Sequence, residues 1–250
     1  MTSTPPPPRP STWVPATVVD AWMEAPGSRT LLLEVPDMAP TLAGQHLDIR
    51  LTAPDGYTAQ RSYSLSSPAG ADRVQVTVDR MPDGEVSPYL VDGLEVGDQV
   101  EVKGPIGRWF LWQPEQTEPV QLIAGGSGVV PLMSMVRTRA AAGSSAPLRM
   151  LYSVRTPGGR FYTEELAGLT AADPAFDLQY VYTRKVPEGW PHQAGRLTGA
   201  LLMEFAIPAA DRPTVYVCGP TAFVETVADA LVQQGHEPAR IRTERFGPSG

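Results

Sequence analysis

The first half of the chain consists of short segments in which apolar and polar residues alternate. Apolar side chains occupy every second position in the runs that begin at Leu31, Leu47 and Val74. Further short runs begin at Val18 and Val100. Turn sequences separate them, at Pro26-Gly27, Pro54-Asp55-Gly56, Pro82-Asp83-Gly84 and Gly97-Asp98. A period of two interrupted by such turns predicts an antiparallel β-sandwich or β-barrel.

From about residue 120 the pattern changes to strands that alternate with helices. Short apolar runs predict strands at residues 120–124, 148–154, 178–182, 214–218 and 241–243. Apolar residues at helical spacing predict helices over residues 129–140 and 162–169. A further helix is predicted between Thr221, as its N-cap, and Gly235, as its stop. This alternation is typical of a parallel α/β sheet. The predicted fold class is therefore an antiparallel β-barrel followed by an α/β domain.

A polar segment, Gln113 to Pro119, marks the boundary between two expected domains. The first is expected to cover residues 13–115 and the second residues 119–250. A Pro-rich stretch, residues 1–12, precedes them. It lacks the cationic start and apolar core of a signal peptide. Its prolines favour an extended, disordered tail, and a segment that binds a partner is the alternative.

Composition narrows the possible functions. The formal net charge of −7 disfavours nucleic-acid binding, which needs a basic surface to neutralise phosphates. The single cysteine, Cys218, excludes an intrachain disulfide and cannot supply the four ligands of a typical iron–sulfur cluster. No apolar run is long enough to span a bilayer. We therefore expect a cytoplasmic protein, monomeric by default, without a metal site.

A glycine cluster, Gly125-Gly126-Ser127-Gly128, lies between a predicted strand and a predicted helix. Glycine backbones can approach an anion closely, and the helix N-terminus carries a partial positive charge. Pro131 stands where the dinucleotide-binding fingerprint has a third glycine, and no Walker lysine follows. The cluster favours a nucleotide site, although a tight turn without a ligand would have a similar sequence.

Several arginines follow the strands of the second half. Arg155 ends the second parallel strand, Arg184 ends the third, and Arg160 and Arg196 lie in the loops that follow. An acidic residue there would favour NAD, but the first carboxylate is Glu164. Arginine suits the 2′-phosphate of NADPH, so the pattern favours NADPH over NADH. Ordinary surface arginines are the alternative.

Four further motifs carry side chains or backbone suited to cofactor binding. Residues 61–67, RSYSLSS, provide an arginine for a pyrophosphate, an aromatic ring for a planar group and hydroxyls for ring nitrogens. Residues 84–90 form a glycine turn that enters a short helix, and residues 103–107 form another glycine turn. Residues 217–220, VCGP, end a strand at the same sheet edge as the glycine cluster. A polar strand face and a buried filler cysteine are the alternatives.

These motifs, in this order, resemble those of the ferredoxin–NADP reductase superfamily, and the chain looks closest to bacterial reductases that feed oxygenases. The resemblance rests on RSYSLSS, GEVSPYL, KGPIG, GGSGVVP and VCGP, and it spans nearly the whole chain after the proline tail. It implies an FAD-binding barrel followed by a pyridine-nucleotide domain.

The resemblance also implies roles for individual residues. At the FAD pyrophosphate it places Arg61, Gly84, Val86 and Ser87. At the flavin ring it places Tyr63 and Ser64. In the nicotinamide-nucleotide site it places Gly126, Ser127, Gly128, Cys218, Gly219 and Pro220. Glu244 and Phe246 resemble the acidic-x-aromatic pair near the flavin, although plant-type members end at the aromatic residue. Ser64, Cys218 and Glu244 are the expected catalytic residues.

The implied activity is hydride transfer from NADPH, or NADH, to bound FAD. Electrons would then pass to a separate acceptor, such as a ferredoxin, an oxygenase component or a haem protein, because this chain lacks the cysteines of an iron–sulfur domain. Two alternatives stay open. One is a reductase for small acceptors, such as free flavin or a ferric chelate. The other is a non-enzymatic flavin-binding subunit of a larger complex, against which the intact glycine loop and Cys218 argue.

Overall fold

The computed structural model describes residues 12–247, and its first half is a closed antiparallel sheet. Six strands form it: β1 (Val14–Ala25), β2 (Ser28–Glu34), β3 (His46–Thr52), β4 (Thr58–Ser64), β5 (Val74–Asp79) and β6 (Gln99–Ile106). Their order is β4-β3-β6-β1-β2-β5. The two edges meet where Leu65 bridges Val76 and the Ser66 amide donates to the Gln75 carbonyl at 2.8 Å. The predicted antiparallel barrel is confirmed.

Alternation along the strands fills the barrel with aliphatic side chains. The fully buried residues include Leu31, Leu33, Leu47, Ile49, Val74 and Val76. Burying each such side chain contributes about 1.5–3 kcal/mol to folding. The short helix expected after Gly84 is a single π-helical turn, Tyr89–Gly93, with Leu90 and Val91 packed on the barrel core.

The second half is a five-stranded parallel sheet, which confirms the predicted α/β architecture. Its strands are β7 (Val120–Gly125), β8 (Leu148–Val154), β9 (Phe176–Tyr182), β10 (Thr214–Pro220) and β11 (Ile241–Phe246), in the order β11-β10-β7-β8-β9. Its helices are α1 (Val129–Ala141), α2 (Thr163–Ala172), α3 (Gly199–Phe205) and α4 (Thr221–Gln233). None of the helices within residues 12–247 is long and apolar enough to cross a membrane.

The structure corrects three local predictions. Thr221 is the first residue of α4 and not its N-cap, since Pro220 precedes the helix and no side chain caps it. Helix α3 was not predicted from the sequence. Only Leu202 of its seven residues is buried, so no periodic apolar pattern marks it. Tyr162 precedes α2 in a left-handed conformation, with φ of 56°. Apart from Thr12, the expected tail lies outside the described residues.

Polar and apolar contacts join the two halves. From α1, Ser134 donates to the Ser67 carbonyl at 2.6 Å, and Arg137 donates to the Ser66 carbonyl at 2.8 Å. One core cluster combines Phe110 and Trp112 of the first half with the sheet and α1 of the second. The end of β4 is thereby held beside the α/β half, while α3 and α4 cover the opposite sheet face.

Candidate functional site

The centre of the parallel sheet is a topological switch point. From β7 the chain adds β8 and β9 on one side, and it then crosses back to add β10 and β11 on the other side. Ligands of open α/β sheets bind at the carboxyl ends of strands at such a point. The Gly126–Gly128 turn follows β7 there, and Gly219 and Pro220 end β10 beside it. The structure therefore brings two predicted nucleotide motifs together.

Gly126 and Gly128 of this turn have different surroundings. Gly126 has φ of 57°, and a side chain there would meet nothing within 4 Å, so this position is open to a ligand. A Cβ on Gly128 would overlap the Cys218 carbonyl group and lie 2.8 Å from the Gly219 nitrogen. Gly128 is thus required by packing against β10, whereas Gly126 and the half-buried Ser127 face the available space.

Cys218 is a buried thiol in register with a carboxylic acid. Its side chain is 1% exposed, and it pairs with Glu244 across the β10–β11 ladder. Burial, followed by the charge of Glu244, raises the pKa of the thiol well above its usual value. Cys218 therefore stays neutral, which fits a group that lines a pocket and does not fit a thiolate nucleophile.

Glu244 meets His46 across the junction of the two halves. His46 Nδ1 lies 3.8 Å from Glu244 Oε1, too far for a hydrogen bond, and Glu244 Oε2 is buried without a partner. Burial raises the pKa of Glu244 to about 7 and lowers that of His46. Because both shifts favour the neutral forms, the contact is not a fixed ion pair. An unpartnered buried oxygen marks Glu244 as a group available to a ligand.

The barrel contributes Ser64 and Tyr63 to the same junction. Ser64 ends β4 and is paired with His46 in the β3–β4 ladder, so it stands one strand away from the Glu244 contact. Tyr63 is half-buried against the barrel core. Burial, partly offset by Arg61, raises the pKa of Tyr63 to about 12, so its phenol remains protonated. Ser64, Glu244 and Cys218, predicted separately, are connected through His46 and strand pairing.

The predicted pyrophosphate residues lie together at the outer face of the barrel. Arg61 is exposed on β4 and donates to the carboxylate of Glu85 at 3.1 Å. Ser87 is buried, and its hydroxyl accepts from the Met81 amide at 3.0 Å. The Val86 side chain is fully buried in the barrel core. Any contact of Val86 with a cofactor must therefore involve its backbone.

A Cβ on Gly84 would lie 2.9 Å from the Ser87 hydroxyl, so the turn over residues 84–87 accepts only glycine at its start without rearrangement. Glu85, within this turn, forms an ion pair with the exposed guanidinium of Arg61. The structure thus brings Arg61, Gly84 and Ser87 together, as the sequence predicts.

Arginines gather at the carboxyl ends of β8 and β9. Arg155 and Arg184 are both exposed, and the amides of Arg184 and Lys185 donate to the Arg155 carbonyl at 3.0 and 3.2 Å. Arg160 is engaged elsewhere, since it donates to Tyr182 and stacks on a tyrosine ring. Arg196 is exposed in the connection before α3, and it has no hydrogen bond or ion pair among the described residues.

Three residues of this region were not predicted from the sequence. His46 stands at the start of a strand with no motif around it, and only the β3–β4 pairing brings it to Ser64. Glu85 lies inside the GEVSPYL motif, where its charge could have been noticed beside a predicted anion site. Lys185 directly follows Arg184, so the basic pair was visible in the sequence. Phe246 is 38% exposed at the end of β11, and its position over a flavin stays a prediction.

Comparison with known proteins decides the family. Residues 16–111 match the oxidoreductase FAD-binding domain, and residues 122–229 match the oxidoreductase NAD-binding domain. The aromatic O-demethylase reductase subunit of an Amycolatopsis species is 31% identical, over 94% of this chain and 69% of the relative. The chain belongs to the ferredoxin–NADP reductase superfamily. Its FAD-binding and NAD-binding domains confirm the predicted cofactor classes.

Other superfamily relatives are larger. A flavohemoprotein of Rhodopirellula baltica is 32% identical over 84% of this chain, which covers 54% of that relative. The chain thus spans about half the length of several curated relatives that it matches. Among solved structures, the FAD/NAD-binding domain of the nitric oxide dioxygenase from Vibrio cholerae superposes with a TM-score of 0.84. The two are 28% identical, and the match covers 94% of this chain and 99% of that one.

The site fits the cofactors of the superfamily. The exposed Arg61 guanidinium offers charge-assisted donors to a pyrophosphate, and the open Gly126 position leaves room at the start of α1 for a second one. The unpartnered Glu244 oxygen lies where the two halves meet. These features are compatible with an FAD site on the barrel and a nucleotide site at the start of α1.

The buried carboxyl group of Glu244 makes the stability of the folded state depend on pH. Because its pKa is raised from 4.5 to about 7, the folded state binds more protons than the unfolded chain between these values. The stability that Glu244 contributes therefore falls as the pH rises through this window, by at most about 3 kcal/mol. We expect Glu244→Gln to melt higher than the wild type at pH 8 and close to it at pH 5.

Thermal denaturation at the two pH values measures this difference, with the exposed Glu115→Gln as control. Equal melting temperatures for Glu244→Gln and wild type at pH 8 would show that the Glu244 carboxylate is adequately solvated.

Proposed function

We propose that this protein takes a hydride from NADPH or NADH onto FAD and passes electrons to a separate acceptor protein. The main support is the junction where His46 of the barrel meets Glu244 of the nucleotide domain, with Ser64 and Cys218 as their respective strand partners. The glycine turn of the nucleotide domain packs against Cys218, and the 61–67 motif of the barrel pairs with His46 at Ser64, which supports a shared site. The names of relatives agree, since the Amycolatopsis protein is the reductase subunit of an aromatic O-demethylase.

Bound FAD supplies the hydride acceptor and the means to release electrons to the next carrier. The residues of the chain supply position and electrostatics. Ser64 offers a hydroxyl donor from the end of β4, and the neutral Cys218 thiol provides a close-packed wall at the end of β10. Glu244 becomes anionic above about pH 7, where its charge favours the positive charge that nicotinamide acquires as it loses hydride.

Anaerobic reduction of the flavin in the purified full chain tests the proposal. Addition of excess NADPH or NADH is expected to bleach the flavin absorbance near 450 nm within seconds, on the order of typical turnover rates. Flavin that stays oxidised with both nucleotides would support the non-enzymatic subunit instead. Parallel assays with ferredoxin, free flavin and a ferric chelate distinguish a protein acceptor from small acceptors.

Nucleotide preference is expected to depend on the basic group at the ends of β8 and β9. We expect Arg155→Ala to raise KM for NADPH by about tenfold or more, since a charge-assisted contact to the 2′-phosphate is lost. KM for NADH should stay within about twofold, because NADH lacks that phosphate. Steady-state kinetics with both nucleotides measure the ratio, and Lys185→Ala is a second variant. An unchanged NADPH preference in both would remove these residues from the phosphate site.

An exposed tryptophan at the junction is a candidate contact for an acidic acceptor. Trp109 is 62% exposed, next to the exposed Arg108, and the Arg242 guanidinium lies 6.0 Å from its ring. Arg242 is two residues ahead of Glu244 on β11. Tryptophan flanked by arginine is the composition of interface hot spots, and this basic surface contrasts with the acidic chain.

We expect Trp109→Ala to lower kcat/KM for a [2Fe–2S] ferredoxin by about tenfold while ferricyanide reduction is unchanged. Met203→Ala, at an exposed apolar residue on α3, is the control. Equal losses with both acceptors would place Trp109 in the reduction of flavin and not in docking.

The other sequence-based expectations remain proposals. They are the division into domains that cover residues 13–115 and 119–250, the monomeric state and the cytoplasmic location. Size-exclusion chromatography with light scattering tests the monomer, and cell fractionation tests the location.

A further inference from the structure

Arg61, the residue expected at the FAD pyrophosphate, already has an anionic partner. Arg61 Nη2 lies 3.1 Å from Glu85 Oε2, and Arg61 Nη1 donates to the Gln60 carbonyl at 2.7 Å. The other carboxylate oxygen, Glu85 Oε1, accepts from the Tyr57 hydroxyl at 2.6 Å. Both terminal nitrogens of the guanidinium are therefore engaged within the protein.

Three separate segments build this cluster. Tyr57 lies in the connection between β3 and β4, Arg61 on β4, and Glu85 in the turn before the π-helical residues. The hydrogen bond from Tyr57, together with Arg61, lowers the pKa of Glu85, so the carboxylate stays charged. All three side chains are exposed, which leaves the cluster accessible to a ligand from solvent.

Glu85 is also part of the predicted pyrophosphate turn. It follows Gly84 and precedes Val86 and Ser87, so its negative charge is attached to the segment expected to receive two phosphates. A bidentate phosphate contact needs parallel N–H groups from one guanidinium edge. Arg61 keeps further N–H groups for such a contact, but a phosphate bound there would share the guanidinium with the Glu85 carboxylate and meet its negative charge.

We propose that Glu85 competes with the FAD pyrophosphate for Arg61, so that this carboxylate weakens FAD binding and speeds flavin release. Tyr57 holds the carboxylate at the guanidinium and thereby strengthens the competition. The inference rests on the proposed function, in which Arg61 contacts FAD. Glu85 would then lower the affinity for FAD, whereas the other residues of the site raise it.

The sign of the change in FAD affinity distinguishes competition from orientation. If Glu85 served only to orient Arg61, its neutralisation would loosen the arginine and weaken FAD binding. Competition predicts the reverse, because neutralisation frees a donor and removes a negative charge beside a dianionic group. Glu85→Gln preserves the shape of the side chain and one oxygen that can accept from Tyr57, while it removes the charge and the oxygen that accepts from Arg61.

The experiment measures flavin release from the full-length holoprotein after dilution, together with equilibrium Kd, by recovery of flavin fluorescence. For Glu85→Gln we expect Kd for FAD to fall by about three- to fivefold, in line with a modest exposed ion pair. Riboflavin, which lacks phosphates, should bind the variant and the wild type equally. Glu34→Gln provides a matched control, because Glu34 is an exposed partner of Arg73 at 3.7 Å in the same domain.

Tyr57→Phe is a second variant that leaves every charge in place. Without the hydroxyl that holds Glu85, we expect FAD to bind more tightly than to the wild type, by less than in Glu85→Gln. Unchanged or weaker FAD binding in both variants would overturn the competition. An equal change for riboflavin would also overturn it, because the effect would not pass through the phosphates. If the wild type takes up no FAD at all, the proposed function fails instead.

Discussion

Replacing Gly128 by alanine is expected to lower the rate of NAD(P)H-dependent flavin reduction by about 10²-fold and to destabilise the fold by about 1–3 kcal/mol. The added methyl group would overlap the Cys218 carbonyl, which is backbone and cannot rotate away. Either the turn or β10 must shift. In the proposed function, such a shift would displace the nucleotide loop relative to Cys218, and hydride transfer is sensitive to displacements of this kind.

Stopped-flow reduction of the bound flavin and chemical denaturation measure the two effects of Gly128→Ala. Gly168→Ala is the matched control, because a Cβ at Gly168 in α2 meets nothing within 4 Å. Alanine favours a helix over glycine, so this control should be unchanged or about 0.5–1 kcal/mol more stable. Wild-type kinetics in Gly128→Ala would mean that the loop and β10 can separate without consequence.

Replacing Arg61 by alanine is expected to weaken FAD binding by about 10- to 100-fold. A charge-assisted hydrogen bond to a pyrophosphate contributes about 1.5–3 kcal/mol, and no other arginine lies in the 61–67 motif. The fold should be retained, because Arg61 is exposed and, within residues 12–247, its one ion pair is with the exposed Glu85. The sign is opposite to that expected for Glu85→Gln.

Fluorescence titration with FAD measures the effect, and circular dichroism checks the fold. Arg73→Ala, which also removes an exposed arginine paired with a glutamate in the barrel half, should bind FAD as the wild type does. If Arg61→Ala and Arg73→Ala retain equal affinity, Arg61 is not a pyrophosphate ligand, and the pyrophosphate must be held by the 84–87 turn.

Local patterns were sufficient for the elements that bury a regular face. The alternation at Leu31 and Leu33, or at Leu47 and Ile49, predicts strands because every second side chain must enter the barrel core. Helix α3 has a single fully buried residue, Leu202, so it produces no such pattern and was missed. Thr221 has the residue type of an N-cap, but Pro220 ends β10 directly before the helix and leaves no capping position.

Sequence motifs predicted most residues of the candidate site. They could not show why each position requires its particular residue type. Gly126 and Gly128 are identical in the sequence, yet one faces open space and the other is pressed against β10. Gly128 has ordinary helical angles, with φ of −62°, so only its tertiary neighbour requires glycine there. Val86 is part of the motif, but its side chain belongs to the barrel core.

The sequence by itself determined the two architectures, their order and the positions of the cofactor motifs, because periodicity and turn residues are local properties of a chain. Only the tertiary structure decided that His46 meets Glu244 and that Glu85 holds Arg61. The partners in these contacts are separated by 198 and 24 residues. Which charges meet, and how much water they lose, depends on strand order and on the packing of one half against the other.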